Sequence, residues 1–207
     1  MSAVQDFAKP LREEEADPDP LRQFAAWFRD ASQAGLRLPE AMAVATATPD
    51  GAPSVRMLLM KQFDERGFVF YSNYESRKGA ELLDNPRAAL LFYWDALGRQ
   101  VRVEGRVERT GADESAAYIL KRPRGSQLSA LASPQSRPVG SREELERLVE
   151  ELEALHEQAD LPLPEHWGGF RLRPETYEFW QHREDRLHDR LLYSRSGDGW
   201  AMQRLAP

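Results

Sequence analysis

The chain has 207 residues, of which 41% are hydrophobic and 30% are charged, and its formal net charge is -6 at pH 7. This length fits one domain with a substantial core, and the acidic balance argues against a general nucleic-acid-binding protein, which needs a basic face. The absence of cysteine excludes disulfides, thiolate metal sites and cysteine nucleophiles.

The first predicted elements are an arm and a helix. Residues 1–20 hold three consecutive glutamates and alternating aspartate and proline, which predicts a mobile arm and leaves 21–207 as a single domain. An apolar stripe that includes Leu21, Phe24 and Phe28 predicts a helix that ends near Gly35. Since no basic head precedes an apolar run at the N-terminus and no apolar run is long enough to span a bilayer, we expect a cytoplasmic protein.

Short β-rich runs follow, separated by turn residues. They lie at 42–48, 55–61, 68–71, 88–93 and 100–109. Over 101–109, valines alternate with charged residues, as in a strand with one face in water. Helical patterns return at 113–120 and 141–155, and the aromatic-rich stretch 168–205 predicts more strands. We therefore expect a mainly β domain, a closed antiparallel barrel with helices outside it.

Two acid-poor stretches of this acidic chain gather cations. The first includes 56–61, the pair 71–72, and Arg77 and Lys78 at the start of a predicted helix. A helix N-terminus carries about half a positive charge, so cations in the first turn are disfavoured unless an anion is bound there. The alternative interpretation is an exposed helix start that tolerates Arg77 and Lys78 without a bound anion.

The second acid-poor stretch is 117–140. It holds Lys121, Arg122, Arg124 and Arg137 and no acidic residue. A basic loop is the alternative interpretation. Together, the two stretches predict two anion sites and hence two phosphorylated small molecules.

A third polar group follows the aromatic residues near position 180. Arg186, His188 and Arg190 come shortly after Trp180, and two guanidiniums with an imidazole can hold a planar anionic ligand and exchange a proton with it. The alternative is a solvated charged turn. The chain has no dinucleotide or phosphate-loop fingerprint, and its four histidines lack metal-binding spacing, so we expect no metal site.

These pieces belong to an ordered set that extends over most of the chain. The set comprises positions 56–61, 71–72, 76–78, 85–86, 100–101, 122–127, 135–136, 167–170, 178–180, 186–190 and 204–207. No single piece is decisive, but the ordered set is very specific. With it, the chain closely resembles the pyridoxamine (pyridoxine) 5′-phosphate oxidases.

The resemblance implies an FMN-binding split β-barrel, mainly β with flanking helices and antiparallel strands of Greek-key type. It also implies a homodimer that holds the flavin between its subunits. The implied FMN contacts are Arg56, Lys61, Tyr71, Ser72, Arg77, Lys78, Gln100, Gln135, Ser136, Trp180 and Arg190. The implied substrate contacts are Lys61, Tyr118, Arg122, Ser126, Arg186 and His188. Of these, Arg186 and His188 would lie over the pyridine ring as the catalytic pair.

The spacing of two implied flavin contacts needs an explanation. Residues on a plain strand alternate between its faces, so Arg56 and Lys61 would point to opposite sides. We expect either a bulge between them or a contact of Lys61 at the end of the strand.

The activity implied by the resemblance is oxidation of pyridoxamine or pyridoxine 5′-phosphate to pyridoxal 5′-phosphate, with FMN as cofactor, O2 as acceptor and H2O2 as product. One alternative is a split-barrel flavin oxidase that acts on another substrate, such as a phenazine precursor. A second is a non-catalytic pyridoxal-phosphate-binding protein. A third, a nucleic-acid module that uses the basic loop 121–124, is disfavoured by the net charge, and we expect neither a nucleic-acid nor a membrane partner.

The N-terminal arm departs from the family pattern. Relatives carry an Arg and a Tyr that fold over the bound substrate, whereas the matching stretch here reads Ala3, Val4, Gln5, Asp6. Glu13 stands in a region where relatives tend to be basic. The sequence therefore predicts neither lid closure nor product regulation through this arm.

Overall fold

The computed structural model describes residues 9–157, 159 and 161–207. Its helices are α1 (Pro20–Gln33), α2 (Arg77–Asp84), α3 (Ala112–Ile119), α4 (Arg124–Ala132) and α5 (Arg142–Leu155). Its strands are β1 (Ala41–Ala47), β2 (Pro53–Leu59), β3 (Gln62–Asp64), β4 (Gly67–Asn73), β5 (Arg87–Trp94), β6 (Arg99–Arg109), β7 (Trp167–Gln181), β8 (Asp189–Ser196) and β9 (Gly199–Arg204). All the predicted helices and strands are confirmed. Within the described part of the chain, no helix has the length and apolar character needed to cross a membrane.

The strands form one antiparallel sheet in which β7 is the junction. The main path runs β2-β1-β5-β6-β7-β4-β3, and β8 and β9 continue from β7. β6 pairs with β7 along one edge, while on the other edge β4 pairs with 167–172 and β8 pairs with 176–181. Pro174 lies between these two partners and has no N–H to donate to either.

The sheet curls around the core without closing into a ring. Among the described strands, β2 and β3 end the hydrogen-bonded path, although they follow each other in the chain. The expected closed barrel is therefore wrong in this respect. The mainly β, antiparallel split barrel implied by the resemblance is confirmed.

Helix α1 lies against the concave side of the sheet, not outside the barrel. Asp19 caps it by accepting a hydrogen bond from the Leu21 N–H at 2.9 Å. Phe24 is fully buried, and its ring centroid lies 4.8 to 5.0 Å from those of Phe63, Phe68 and Phe92. These rings come from three strands, so α1 fills the open side of the curled sheet.

The sequence does not predict β3 or α4. β3 has only three residues and exists because it pairs with β4. α4 contains Gly125, Ser126 and Ser129, which are weak helix formers. Its burial of Leu128 and its contact with α5 are tertiary features that a local pattern does not carry.

Residues 9–19 contact the last strands of the sheet. Leu11 is buried, and its N–H donates to Asp189 Oδ2 at 3.1 Å. Arg204 donates to both carboxylate oxygens of Glu13, at 2.7 and 2.6 Å, and to Asp189 Oδ1 at 2.7 Å. The mobile arm over 1–20 stays a prediction, and residues 1–8, with the departure at 3–6, lie outside the described residues.

We expect Phe24→Ala to lower the free energy of unfolding by about 3–5 kcal/mol, because it opens a cavity among the packed aromatic rings. Leu83→Ala is the control, since Leu83 is 56% exposed and its truncation should change stability by about 0.5 kcal/mol or less. Urea unfolding monitored by circular dichroism measures both. A similar small change in the two variants would contradict the central place of Phe24 in the core.

Candidate functional site

Lys78 is buried in the first turn of α2, with 7% of its surface exposed. Its Nζ donates to Ser72 Oγ and Ser76 Oγ, each at 2.9 Å, and to Gln135 Oε1 at 2.8 Å. Ser76 also caps the helix. All three acceptors are neutral, so in the described part of the chain no carboxylate bonds this ammonium group.

The surroundings of Lys78 make its charge costly. Burial lowers its pKa to about 8, the nearby guanidinium of Arg56 acts in the same direction, and the carboxylate of Glu81 offsets part of this shift. A buried cation without an anionic partner is destabilising. A phosphate group placed here would supply the missing negative charge, as the helix-start argument from the sequence predicts.

Arg56 and Arg77 meet at the buried carboxylate of Glu81. Arg77 Nε donates to Glu81 Oε1 at 2.9 Å, and Arg56 Nη2 lies 3.4 Å from Oε2. Oε2 also accepts hydrogen bonds from the hydroxyls of Thr46 and Ser54. Burial opposes ionisation of Glu81, but the hydrogen bonds from Ser54, Thr46 and Arg77 outweigh it and lower the pKa to about 2. Glu81 is therefore an anion that orients both guanidiniums.

Three aromatic rings stack beside this cluster. The centroids of Tyr71 and Tyr118 lie 3.8 Å apart with an interplanar angle of 8°. Trp167 is parallel to both rings, with its centroid 5.5 Å from Tyr71 and 6.1 Å from Tyr118. The guanidinium of Arg122 lies over Trp167, 5.1 Å from the ring centroid. Burial raises the pKa of Tyr71 to about 12, so its hydroxyl stays protonated.

The two glycines after Trp167 allow α3 to approach the sheet. The Gly169 N–H donates to Ser115 Oγ on α3 at 3.1 Å. A Cβ at Gly168 would overlap the Tyr74 hydroxyl and lie 2.9 Å from Ser115 Oγ, and one at Gly169 would overlap the Thr110 hydroxyl and lie 3.0 Å from the Tyr71 ring. This close packing places Tyr118, at the end of α3, on Tyr71.

Gln100, Trp180 and Arg190 occupy neighbouring positions on β6, β7 and β8. They line an open cavity of about 330 Å³. Glu178 joins the group, since Arg190 Nε donates to its Oε1 at 2.8 Å and Arg102 Nη2 donates to its Oε2 at 2.6 Å. These side chains form a second cluster with its own ion pairs.

Arg186 and His188 lie in the turn beside this second cluster. Arg186 is exposed and has a left-handed backbone with φ of 61°. The His188 ring centroid is 4.5 Å from that of Trp180, and His188 Nδ1 accepts from the Arg183 backbone N–H at 3.1 Å. Burial, His182 and Arg186 lower the pKa of His188. A neutral His188 therefore presents an Nε2–H donor.

The remaining sequence-predicted residues lie just after β2, in the first turn of α4 and between α4 and α5. Lys61 is exposed just after β2, where its N–H donates to Val69 O at 2.8 Å. It therefore belongs to neither face of β2. Of the two expected explanations, a bulge or a position at the strand end, the structure shows the second, and the contact of Lys61 with a flavin stays a prediction. Ser126 lies in the first turn of α4, and Ser136 is exposed with a left-handed φ of 72°.

Within one protomer the predicted flavin contacts divide into two groups. Ser72, which bonds Lys78, pairs with Gly168 near one end of β7, whereas Trp180 lies near the other end. At about 3.3 Å per residue, these ends are about 40 Å apart along an extended strand. The structure thus brings together Arg56, Ser72, Arg77, Lys78 and Gln135 as one group, and Gln100, Trp180, Arg190 and His188 as another.

Sequence reasoning missed the acidic and aromatic residues that hold these side chains. Glu81 is four residues after Arg77, a helical pair spacing that is a usable signal. Glu178 and Trp167 lie within matched motifs, but no local pattern indicates that one binds Arg190 and the other lies under Arg122. In the described part of the chain, no three His, Asp or Glu side chains group closely enough to hold a metal ion.

Two family models and many curated proteins match the chain. Residues 28–156 match the model "Pyridoxamine 5′-phosphate oxidase", and residues 167–207 match "Pyridoxine 5′-phosphate oxidase C-terminal dimerisation region". A pyridoxine/pyridoxamine 5′-phosphate oxidase from Rubrobacter xylanophilus is 62% identical over 197 residues, which covers 95% of this chain and 91% of that protein. The protein of the same name from Gloeothece citriformis is 54% identical over 198 residues, with coverages of 95% and 92%.

Solved structures share the fold. PhzG from Burkholderia lata, in complex with tetrahydrophenazine-1-carboxylic acid, superposes with a TM-score of 0.89 at 35% identity and covers 95% of this chain and 98% of its own. A pyridoxamine 5′-phosphate oxidase-related, FMN binding protein from Nostoc punctiforme gives a TM-score of 0.69 at 20% identity, with coverages of 91% and 97%. At 20% identity, the match to the Nostoc punctiforme protein shows a shared fold and nothing more.

We expect the affinity for FMN to fall as the pH rises above about 8, because Lys78 then loses its proton in the free protein. A bound phosphate dianion raises that pKa again, so binding takes up one proton and affinity falls by up to about tenfold per pH unit. Flavin fluorescence titrations from pH 7 to 10 measure this. Lys78→Met should bind weakly with little pH dependence, whereas Lys121→Met, at an exposed lysine, should keep the parental profile. A parental profile in Lys78→Met would exclude Lys78 as the titrating group.

Proposed function

The chain belongs to the pyridoxamine 5′-phosphate oxidase family, and we propose that it oxidises pyridoxamine or pyridoxine 5′-phosphate to pyridoxal 5′-phosphate with FMN and O2, releasing H2O2. When bound, FMN would supply the redox chemistry, as acceptor of a hydride from the substrate carbon attached to the ring and as donor of the electrons to O2. The chain itself must bind both phosphates, orient the substrate and exclude water.

The observation that carries the proposal is the buried ammonium group of Lys78, whose hydrogen-bond acceptors are all neutral and whose charge the nearby Glu81 offsets only in part. Its ammonium group is held by Ser72, Ser76 and Gln135, all neutral, at the N-terminus of α2. Arg77 is next to it in the chain, and most of its side chain is exposed. This chemistry fits the phosphate of FMN.

The division of the flavin contacts supports a homodimer. Residues that are about 40 Å apart along β7 do not reach one flavin within a single subunit, so we propose that Lys78 of one subunit and Trp180 of the other contact the same FMN. Charged hydrogen bonds contribute about 1.5–3 kcal/mol each, and association costs about 4–15 kcal/mol. Phosphate contacts alone therefore do not give tight binding, and enclosure by the partner supplies the rest. The match of 167–207 to a dimerisation region agrees with this arrangement.

Tyr118, Arg122, Ser126 and Lys61 are proposed to bind the substrate phosphate. Tyr118 and Arg122 are adjacent because Tyr118 stacks on Tyr71 and Arg122 lies over Trp167, and these two rings are parallel. Tyr118 remains a hydroxyl donor because burial raises its pKa. Phosphate binding here would fix the substrate by the end remote from the reacting carbon, and such positioning contributes about 7–11 kcal/mol to catalysis.

Arg186 and His188 are proposed to align the pyridine ring. Since His188 Nδ1 accepts from a backbone N–H, the neutral imidazole donates through Nε2 and orients the substrate instead of taking up its proton. Arg186 adds a positive charge in the same turn. No protein nucleophile is required.

A second candidate is oxidation of a phenazine precursor, which the likeness to PhzG favours. A phenazine acid carries a carboxylate but no phosphate ester, so it has no use for a separate phosphate site at Tyr118, Arg122 and Ser126. The identity to the pyridoxine/pyridoxamine 5′-phosphate oxidases is also higher, at 62% and 54% against 35%. We therefore place the phosphorylated pyridine substrate first.

An anaerobic absorption spectrum tests the proposed function. The purified protein, loaded with FMN, should show an oxidised flavin spectrum that bleaches on addition of pyridoxamine 5′-phosphate and returns on admission of O2 with formation of H2O2. Bleaching by a dihydrophenazine carboxylic acid alone would favour the second candidate. A protein that binds pyridoxal 5′-phosphate but whose flavin is reduced by neither compound would be a carrier.

We expect Arg186→Ala to lower kcat/KM for pyridoxamine 5′-phosphate by about 10- to 150-fold, the equivalent of one charged hydrogen bond. FMN affinity should stay within about twofold of the parent, because the flavin phosphate is proposed to bind elsewhere. Stopped-flow flavin reduction and flavin titration measure the two quantities. Arg173→Ala is the control, since Arg173 is an exposed arginine on β7. Parental rates in Arg186→Ala would remove Arg186 from the site.

A further inference from the structure

We propose that Trp167 is a positioning residue that acts through Arg122 and sets the preference for a phosphorylated substrate. This inference rests on the proposed function, in which Arg122 binds the substrate phosphate. Nothing in the family match or in the sequence pattern gives Trp167 such a role. The argument comes from the charge, burial and hydrogen bonding of Arg122.

Arg122 has no anionic partner among the described residues. Its guanidinium lies over the Trp167 ring, 5.1 Å from the centroid, and no described carboxylate forms an ion pair with it. The stretch 117–140 around it contains no Asp or Glu. The negative face of the indole ring is therefore the group that stabilises this cation.

One donor of Arg122 is both buried and unused. Arg122 Nη1 has no hydrogen-bond partner, although its solvent exposure is close to zero. A buried donor without an acceptor costs free energy, and it is retained where a ligand supplies the acceptor. Arg122 lines a cavity of about 210 Å³ together with Asn73, Gln135 and Trp167. Gln135 also bonds Lys78 at 2.8 Å, so the cavity adjoins the proposed FMN phosphate site.

Trp167 is itself rigidly held. It is 7% exposed, and its ring is stacked parallel to Tyr71 and Tyr118 at angles of 13° and 9°. Its backbone pairs with Asn73 on β4. Because the indole is fixed relative to the sheet, its contact with Arg122 holds the guanidinium in one place. Without this contact the Arg122 side chain would have several rotamers.

The backbone of Arg122 is fixed from the opposite side. Its N–H donates to Ile119 O at 3.0 Å, and its carbonyl accepts from Gln127 Nε2 at 2.8 Å. With the backbone held by α3 and α4 and the guanidinium held by Trp167, the free N–H is preorganised. Preorganised donors bind an anion more tightly because little conformational entropy is lost on binding.

The test compares Trp167→Leu and Trp167→Phe with the parent, all loaded with FMN. Trp200→Leu is the matched control, because Arg195 lies over the Trp200 ring, 4.1 Å from the centroid, in a similar pair on β8 and β9. Dissociation constants for pyridoxal 5′-phosphate and for pyridoxal are measured by equilibrium dialysis. KM and kcat for pyridoxamine 5′-phosphate are measured by O2 uptake.

Trp167→Leu should weaken binding of pyridoxal 5′-phosphate and raise KM by about tenfold, within the range of a desolvated cation–π contact. The affinity for pyridoxal and kcat should change by less than about twofold, and Trp167→Phe should show a smaller, phosphate-specific loss. In an Arg122→Met background, Trp167→Leu should add no further loss, because the two residues act as one unit. Trp200→Leu should leave all four quantities unchanged.

Equal losses for pyridoxal and pyridoxal 5′-phosphate, or additive losses in the Arg122→Met background, would show a merely structural role and overturn the inference. If Trp167→Leu does not fold, as judged by circular dichroism, Trp167→Phe alone decides by the same phosphate-specific criterion. A parent without oxidase activity would refute the proposed function, while the dialysis comparison would still decide the role of Trp167.

Discussion

The ammonium group of Lys78 lies in the protein interior with only neutral oxygens as partners. A folded chain that buries a charge in this way loses stability, which the lowered pKa of about 8 reflects. The arrangement becomes favourable when a dianion occupies the N-terminus of α2. The hydrogen bonds from Nζ to Ser72, Ser76 and Gln135 keep the ammonium group in this position.

The cations of this protein fall into two classes. Arg56, Arg77 and Arg190 are bound to the carboxylates of Glu81 and Glu178, which hold them in fixed orientations. Lys78 and Arg122 bond no described carboxylate and are supported by neutral oxygens and an indole ring instead. The first class is positioned by anions within the protein, and the second is proposed to bind anions from solution. This contrast supports the proposal that an acidic chain binds two phosphates.

Strand β7 determines how these sites are distributed. It pairs with β4 over its first half and with β8 over its second, so the Lys78 group and the Trp180 group lie near its opposite ends. A single subunit therefore presents two half-sites, and the proposed flavin site is complete only when a second subunit is added. Tyr71 and Trp167, from paired strands at the Lys78 end, provide the aromatic surface on which Tyr118 and Arg122 rest.

The sequence alone was enough for every helix except α4, for most strands, for the two acid-poor stretches and for the family, because periodicity, helix starts and ordered motifs are local properties. For Lys61 it left two alternatives, a bulge or the end of the strand. The strand pattern predicted a closed barrel and the family resemblance a split one, and the tertiary structure decided for the split barrel. It alone showed that Gln135 reaches Lys78 and that Glu81, Glu178 and Trp167 hold the arginines. Except for the helical pair of Arg77 and Glu81, these contacts join residues that are distant in the chain. They arise where helices, strands and loops that are far apart in the chain pack together, and packing of this range leaves no signature in any local stretch of sequence.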